Sequence, residues 1–158
     1  MGKARWTTTF RLSEFASKPM NELLRLNIKN AFEAIPPANE AITQWLDARS
    51  IPPSTAYVAN LAIEELVTNC IKYGYDDQAE HDIELNLSAS DRQLTLTIID
   101  DGHPFNPLKA PEPNTDLPIE ARPVGGLGIH LLRKLADGMT YERSDGRNRV
   151  TIIKQIPH

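Results

Sequence analysis

Cysteine is nearly absent from this chain: Cys70 stands alone among 158 residues. That excludes an internal disulfide and any cysteine-rich metal cage. The four histidines, His81, His103, His130 and His158, are scattered without metal-ligand spacing. Basic residues are not in excess; the net charge is −4, which argues against a nucleic-acid binder. No apolar run approaches the roughly 20 residues that cross a bilayer. MGKARWTTTF at the N-terminus lacks the apolar core of a signal peptide. A cytoplasmic protein, with no membrane partner, is the expectation.

What remains is ordinary soluble composition, 41% hydrophobic and 24% charged, in a length that suits one domain spanning 1–158. There is no internal repeat and no domain-scale linker. Residues 5–12 and 22–28 each suit a short strand, and residues 1–18 carry no assigned role. Pro36 and Pro37 end the second strand, and Asn39 is placed to cap a helix through about Arg49. Ser54 caps a long helix from about Thr55 to Tyr73, ended at Gly74. The period then changes from helical to alternating. Ile83, Leu85, Leu87 and Ala89, then Leu94, Leu96 and Ile98, predict an antiparallel pair turned at Ser90–Asp91. Residues 103–124 hold six prolines and little apolar periodicity, which marks a functional lid or an insert. A helix from Gly126 to about Asp137 and strands near 139–144 and 149–156, turned at Asp145–Gly146, follow. Segregated helices and strands imply an α+β two-layer sandwich, an antiparallel or mixed sheet with helices on one face.

Three short polar signatures carry the chemistry. In EELVTNCIKYG, residues 64–74, Glu65, Asn69 and Lys72 recur at i, i+4 and i+7. At about 100° per residue they share an arc of roughly 60°. Ala59, Ala62, Ile63, Leu66, Val67 and Cys70 take the other side, so Cys70 reads as a core thiol rather than a nucleophile. The strip is either a solvated helix face or a polyphosphate site. In the second case an amide oxygen ligates Mg²⁺, an ammonium holds phosphate and a carboxylate takes a proton. In IIDDGHPF, residues 98–105, Asp100 ends an apolar strand and Gly102 releases the chain. This is either a common Asp-Gly turn or a carboxylate that accepts an exocyclic amine beside a closely approached ring. In VGGLGIHLLRKLAD, residues 124–137, three glycines precede an amphipathic helix. They form either a flexible entry or an anion site at a helix N-terminus. The pattern fits neither the dinucleotide-binding fingerprint nor the P-loop.

Together, in this order, E-x-x-x-N-x-x-K-Y (65–73), D-x-G-x-P-F (100–105) and G-G-L-G-I (125–129) resemble the signature boxes of one ATPase superfamily. Its members include gyrase, histidine kinases and mismatch-repair ATPases. Small size and the Pro-Phe after the first glycine box resemble the anti-sigma-factor serine/threonine kinases within it. The resemblance covers roughly residues 20–156 and implies the Bergerat ATP-binding fold with ATP and Mg²⁺. It implies that Glu65 is the general base and that Asn69 ligates Mg²⁺. Lys72 would contact phosphate. Asp100 would receive the adenine amino group, with Gly102 beside the ring. Gly125, Gly126 and Gly128 would wrap the phosphates, with backbone amides through Leu127 and Ile129, and Arg122 would reach the γ-phosphate. It further implies a sigma factor and an anti-sigma-factor antagonist as partners, and a homodimer. Val124 departs from the pattern, standing where histidine kinases carry the first glycine of their second glycine box. The chain also lacks the helix pair that carries a phospho-accepting histidine. Three functions stay open: a kinase, a nucleotide-dependent binding module with little turnover, and a domain without ligand.

Overall fold

The computed structural model describes residues 22–114, 116–121 and 127–157. Among these residues five strands form one sheet: β1 (Glu22–Lys29), β2 (Asp82–Ala89), β3 (Gln93–Asp100), β4 (Gly138–Ser144) and β5 (Arg147–Gln155). Their order is β1-β2-β3-β5-β4, and every pairing is antiparallel. Alternation in sequence becomes sidedness in space. Ile83, Leu85, Leu87, Leu94, Leu96, Ile98, Val150 and Ile152 are buried on one face. Asn86, Ser88, Thr95, Thr97 and Thr151, between them, are only partly covered. The helices pack on the buried face, giving the two-layer α+β sandwich the residue pattern implies.

Those helices are α1 (Ile35–Asp47), α2 (Pro53–Ala62), α3 (Thr68–Tyr73) and α4 (Leu127–Leu135). α1 contributes Ile35, Ala38, Ile42 and Leu46 to the core, one turn after another. It starts four residues before the expected Asn39. Pro36 and Pro37 sit in its first turn, where a missing N–H costs nothing. Asn39 is therefore interior, and its Nδ2 donates to Glu64 Oε1 at 2.7 Å. Pro53 likewise opens α2, and Ser54 makes no side-chain cap. The expected single helix over 55–73 is continuous but not uniform. A π-helical turn, Ile63–Val67, joins α2 to α3.

The turns follow their residues. Ser90 Oγ accepts from the N–H groups of Arg92 and Gln93. Asp145 and Gly146, both at positive φ, close the β4–β5 hairpin. Among its described residues, the proline-rich segment after β3 holds two short 3₁₀ turns, Pro107–Lys109 and Ile119–Ala121. The first is capped by Asn106 and tied to α4, because Arg133 donates to the Ala110 carbonyl at 3.0 Å. The expected strand over 5–12 lies outside the described residues.

Candidate functional site

A cavity of about 500 Å³ opens between the π turn with α3, the end of β3, the first part of the proline-rich segment, and α4. Its walls include Glu65, Asn69, Lys72, Asp100 and Ile129, which come from three segments distant in sequence. The size suits a small-molecule ligand. Glu65 lies within the π turn and lines the cavity, while its neighbour Glu64 is exposed. Asn69 and Lys72 continue the strip along α3, with Lys72 at the exposed rim.

Gly128 stands in the first turn of α4, against Glu65. A Cβ built there would fall among the Glu65 carboxylate atoms. Only glycine lets that carboxylate lie on the helix backbone. Leu127, at the start of α4, is 52% exposed and is not part of the cavity wall. Arg122, Gly125 and Gly126 lie outside the described residues.

The Asp100–Gly102 turn is held from several sides. Asp100 Oδ1 accepts from the Gly102 N–H at 2.9 Å. The Gly102 carbonyl accepts from Arg143 at 2.7 Å. The His103 N–H donates to the Gly74 carbonyl at 2.8 Å. A Cβ at Gly102 would come within 2.8 Å of that same Gly74 oxygen, so glycine permits this close approach. Gly102 itself faces a smaller neighbouring hollow rather than the main cavity.

Three features of the site escape a reading of the sequence. The first is Asn148, 3% exposed and directly paired with Asp100 across β3 and β5. Its Nδ2 donates to Asp100 Oδ1 at 2.9 Å and to the His103 carbonyl at 2.8 Å. Its Oδ1 accepts from the Tyr141 hydroxyl at 2.7 Å. A signal existed: Asn148, Val150 and Ile152 share one face by alternation, and a polar residue on the apolar face of a strand demands a partner.

The second is Cys70. It packs against the core as expected, yet it also lines the cavity. Burial, with the Asp100 charge beside it, pushes its thiol pKa up to about 12. Such a thiol is a poor nucleophile.

The third is a cluster behind the turn. His81 bonds Asp77 at 2.8 Å through Nε2 and Asp101 at 3.2 Å through Nδ1. The Tyr75 ring stacks on it at 4.1 Å, and the Tyr75 hydroxyl donates to Asp101 at 3.1 Å. The Asp77 and Asp101 hydrogen bonds raise the His81 pKa. Burial works to raise that of Asp101, but hydrogen bonds from His81 and Tyr75 outweigh it and hold it low. Burial, and Cys70 beside it, raise that of Tyr75.

The donor chemistry bears on a metal. Among the described residues no group of three or more His, Cys, Asp or Glu could hold an ion. The cavity offers the carboxamide of Asn69 and the carboxylate of Glu65. Such a sparse oxygen set fits Mg²⁺, which keeps waters and takes its other ligands from substrate phosphates, and does not fit zinc. No helix among the described residues is long and apolar enough to cross a membrane.

A family model described as a histidine kinase-like ATPase domain matches residues 28–154. A serine/threonine-protein kinase, BtrW of Bordetella bronchiseptica, is 26% identical over 96 residues, covering 61% of this chain and 68% of that protein. A crystal structure of the RsbU and RsbW domains of a Mycobacterium tuberculosis protein superposes with a TM-score of 0.63 at 15% identity. That match covers 85% of this chain and 32% of the other, so this chain spans about a third of that structure's length. The likeness establishes a shared fold.

Proposed function

Because the chain belongs to the histidine kinase-like ATPase domain family, we propose that it binds ATP in this cavity and passes the γ-phosphoryl to a serine or threonine of a partner protein. The observation that carries this reading is the meeting of Glu65, Asn69, Lys72, Asp100 and Ile129 around one cavity, with Gly128 against Glu65. The similarity to a protein named as a serine/threonine-protein kinase supports the reaction class.

Asp100 takes the adenine amino group, and Gly102, which faces away from the cavity, lets the turn that carries Asp100 lie close against Gly74. Lys72 neutralises phosphate charge at the rim. Backbone N–H groups of the glycine segment, Gly125 to Ile129, donate to phosphate oxygens, and the α4 dipole favours the anion there. Arg122 reaches the γ-phosphate. Asn69 would hold Mg²⁺, which supplies charge neutralisation between the phosphates when bound with ATP. In the transfer, the acceptor hydroxyl oxygen forms a bond to the γ-phosphorus and the bond to the β–γ bridging oxygen breaks. ADP leaves, and the hydroxyl proton passes to Glu65. Positioning and electrostatics supply most of such a rate.

The partners in this reading are an antagonist protein carrying the acceptor residue and a sigma factor held inactive, with the chain acting as a homodimer. Glu65→Gln is expected to retain ATP affinity within about threefold and to lose transfer by a factor of about 10² or more. Radiolabelled ATP with the purified antagonist measures it; wild-type transfer by the variant ends the assignment of Glu65 as base.

A further inference from the structure

We infer that Asn148 is the positioning residue for nucleobase selection: it aims the Asp100 carboxylate at a 6-amino purine and couples it to the base of the proline-rich segment. The inference rests on the nucleotide reading above and deepens it. Asn148 does not act by touching the reacting phosphates; it acts through Asp100.

The geometry leaves the Asn148 amide one orientation. Nδ2 has two hydrogens, and Asp100 Oδ1 and the His103 carbonyl stand at 2.9 and 2.8 Å. The Gly102 carbonyl lies at 3.5 Å on the same side. Oδ1 accepts from the Tyr141 hydroxyl at 2.7 Å and from the Phe105 N–H at 3.4 Å. A flipped amide would set its oxygen against Asp100 and the His103 carbonyl, and its NH₂ against two donors. One buried side chain therefore joins Asp100, the backbone of residues 103 and 105, and Tyr141 of β4. His103, Pro104 and Phe105 also line the cavity beside Asp100.

The chemistry follows from which oxygen is filled. Asp100 Oδ1 already receives the Gly102 N–H and the Asn148 amide. That pair of bonds fixes the carboxylate plane and directs Oδ2 as the acceptor for a ligand. A 6-amino purine offers the matching N–H; a purine without that amine does not. Without Asn148 the carboxylate keeps its local bond to Gly102 and the Cys70 thiol beside it but loses the bond that ties it across to β5, so it can swing about its side-chain torsions and the loss falls on amine recognition rather than on the shape of the cavity.

The test compares ATP with purine riboside triphosphate, which lacks the 6-amino group, by titration calorimetry on the whole chain. The parent is expected to prefer ATP. Asn148→Ala is expected to lower ATP affinity about tenfold while the analogue changes by less than about threefold. Equal loss for both nucleotides, or no loss for either, overturns the inference.

Asn148→Asp adds a readout that a packing defect does not produce. Near pH 8 the introduced carboxylate repels Asp100 and ATP binding weakens. Near pH 5.5 one shared proton restores a donor between the two oxygens, and affinity returns to within about threefold of the parent. If acidification restores Asn148→Asp no more than it restores Asn148→Ala, the inference falls. Circular dichroism monitors folding; should Asn148→Ala be unfolded at the assay temperature, the Asn148→Asp comparison at two pH values decides. A parent that binds both nucleotides equally sinks the assignment of Asp100 to the amine, and this inference with it. A parent that binds neither sinks the nucleotide reading itself.

Discussion

A methyl group at position 128 has no room, because Glu65 occupies its place. The far end of a glutamate is flexible, so Gly128→Ala is expected to cost the fold less than about 1.5 kcal/mol. Displaced from the cavity wall, however, that carboxylate no longer meets an acceptor hydroxyl. Label transfer is expected to drop at least about tenfold while the melting temperature moves only a few degrees; unchanged transfer would show the contact to be incidental. His81 offers a second test at this scale. Hydrogen bonds to Asp77 and Asp101 raise its pKa above 6.5. Its charged form therefore stabilises the fold fully below pH 6.5, and that contribution is lost as pH climbs through the raised value. The lowered Asp77 and Asp101 act in the opposite sense, but only where pH falls through values below 3.8. Thermal melts from pH 6 to 8 should show a decline in the parent that His81→Ala lacks; parallel slopes would refute the coupling. Glu65, Asn69 and Lys72 were legible as one strip because helix periodicity is local. The His81 cluster was not, since it joins two loops through space.

At the scale of elements, strands were read more accurately than helix starts. Alternation in β2 and β3 is a direct imprint of a half-covered sheet, and the observed spans differ by a residue or so from the expected ones. Helix starts were displaced by proline. At Pro36 and Pro53 the ring opens a helix, whereas a side-chain oxygen at Asn39 or Ser54 suggested a cap further on. The π turn left no recognisable mark, because a single widened turn is too short to shift the side-chain period of the helix around it. α4 gives the sharpest test of what holds the site together. Leu132 is fully buried, and Leu131 beside it is 40% exposed. Leu132→Ala is expected to cost about 2–5 kcal/mol in urea unfolding, and Leu131→Ala less than about 1. Equal costs would mean that α4 does not seat its inner face on the core.

For the whole molecule, the decisive fact is that the cavity belongs to no single element. Its walls come from α3, β3, β5, the proline-rich segment and α4. A ligand held there binds only the assembled fold. ATP with Mg²⁺ at about 100 times its dissociation constant should add about 2.7 kcal/mol of stability. A melt should therefore rise by several degrees, and Asp100→Asn, which turns an acceptor edge partly into a donor, should diminish that rise. No shift at millimolar nucleotide would favour a domain without this ligand. The residues alone determined the α+β class, the antiparallel pairing, and the three polar signatures with their order, because side-chain period and local spacing are written along the chain. Tertiary structure decided what met what: that Asn148 stands across from Asp100, that the Glu65 carboxylate lies on Gly128, and that Cys70 borders a cavity as well as a core. Those contacts depend on strand register and helix placement, which long-range packing sets and no local pattern encodes.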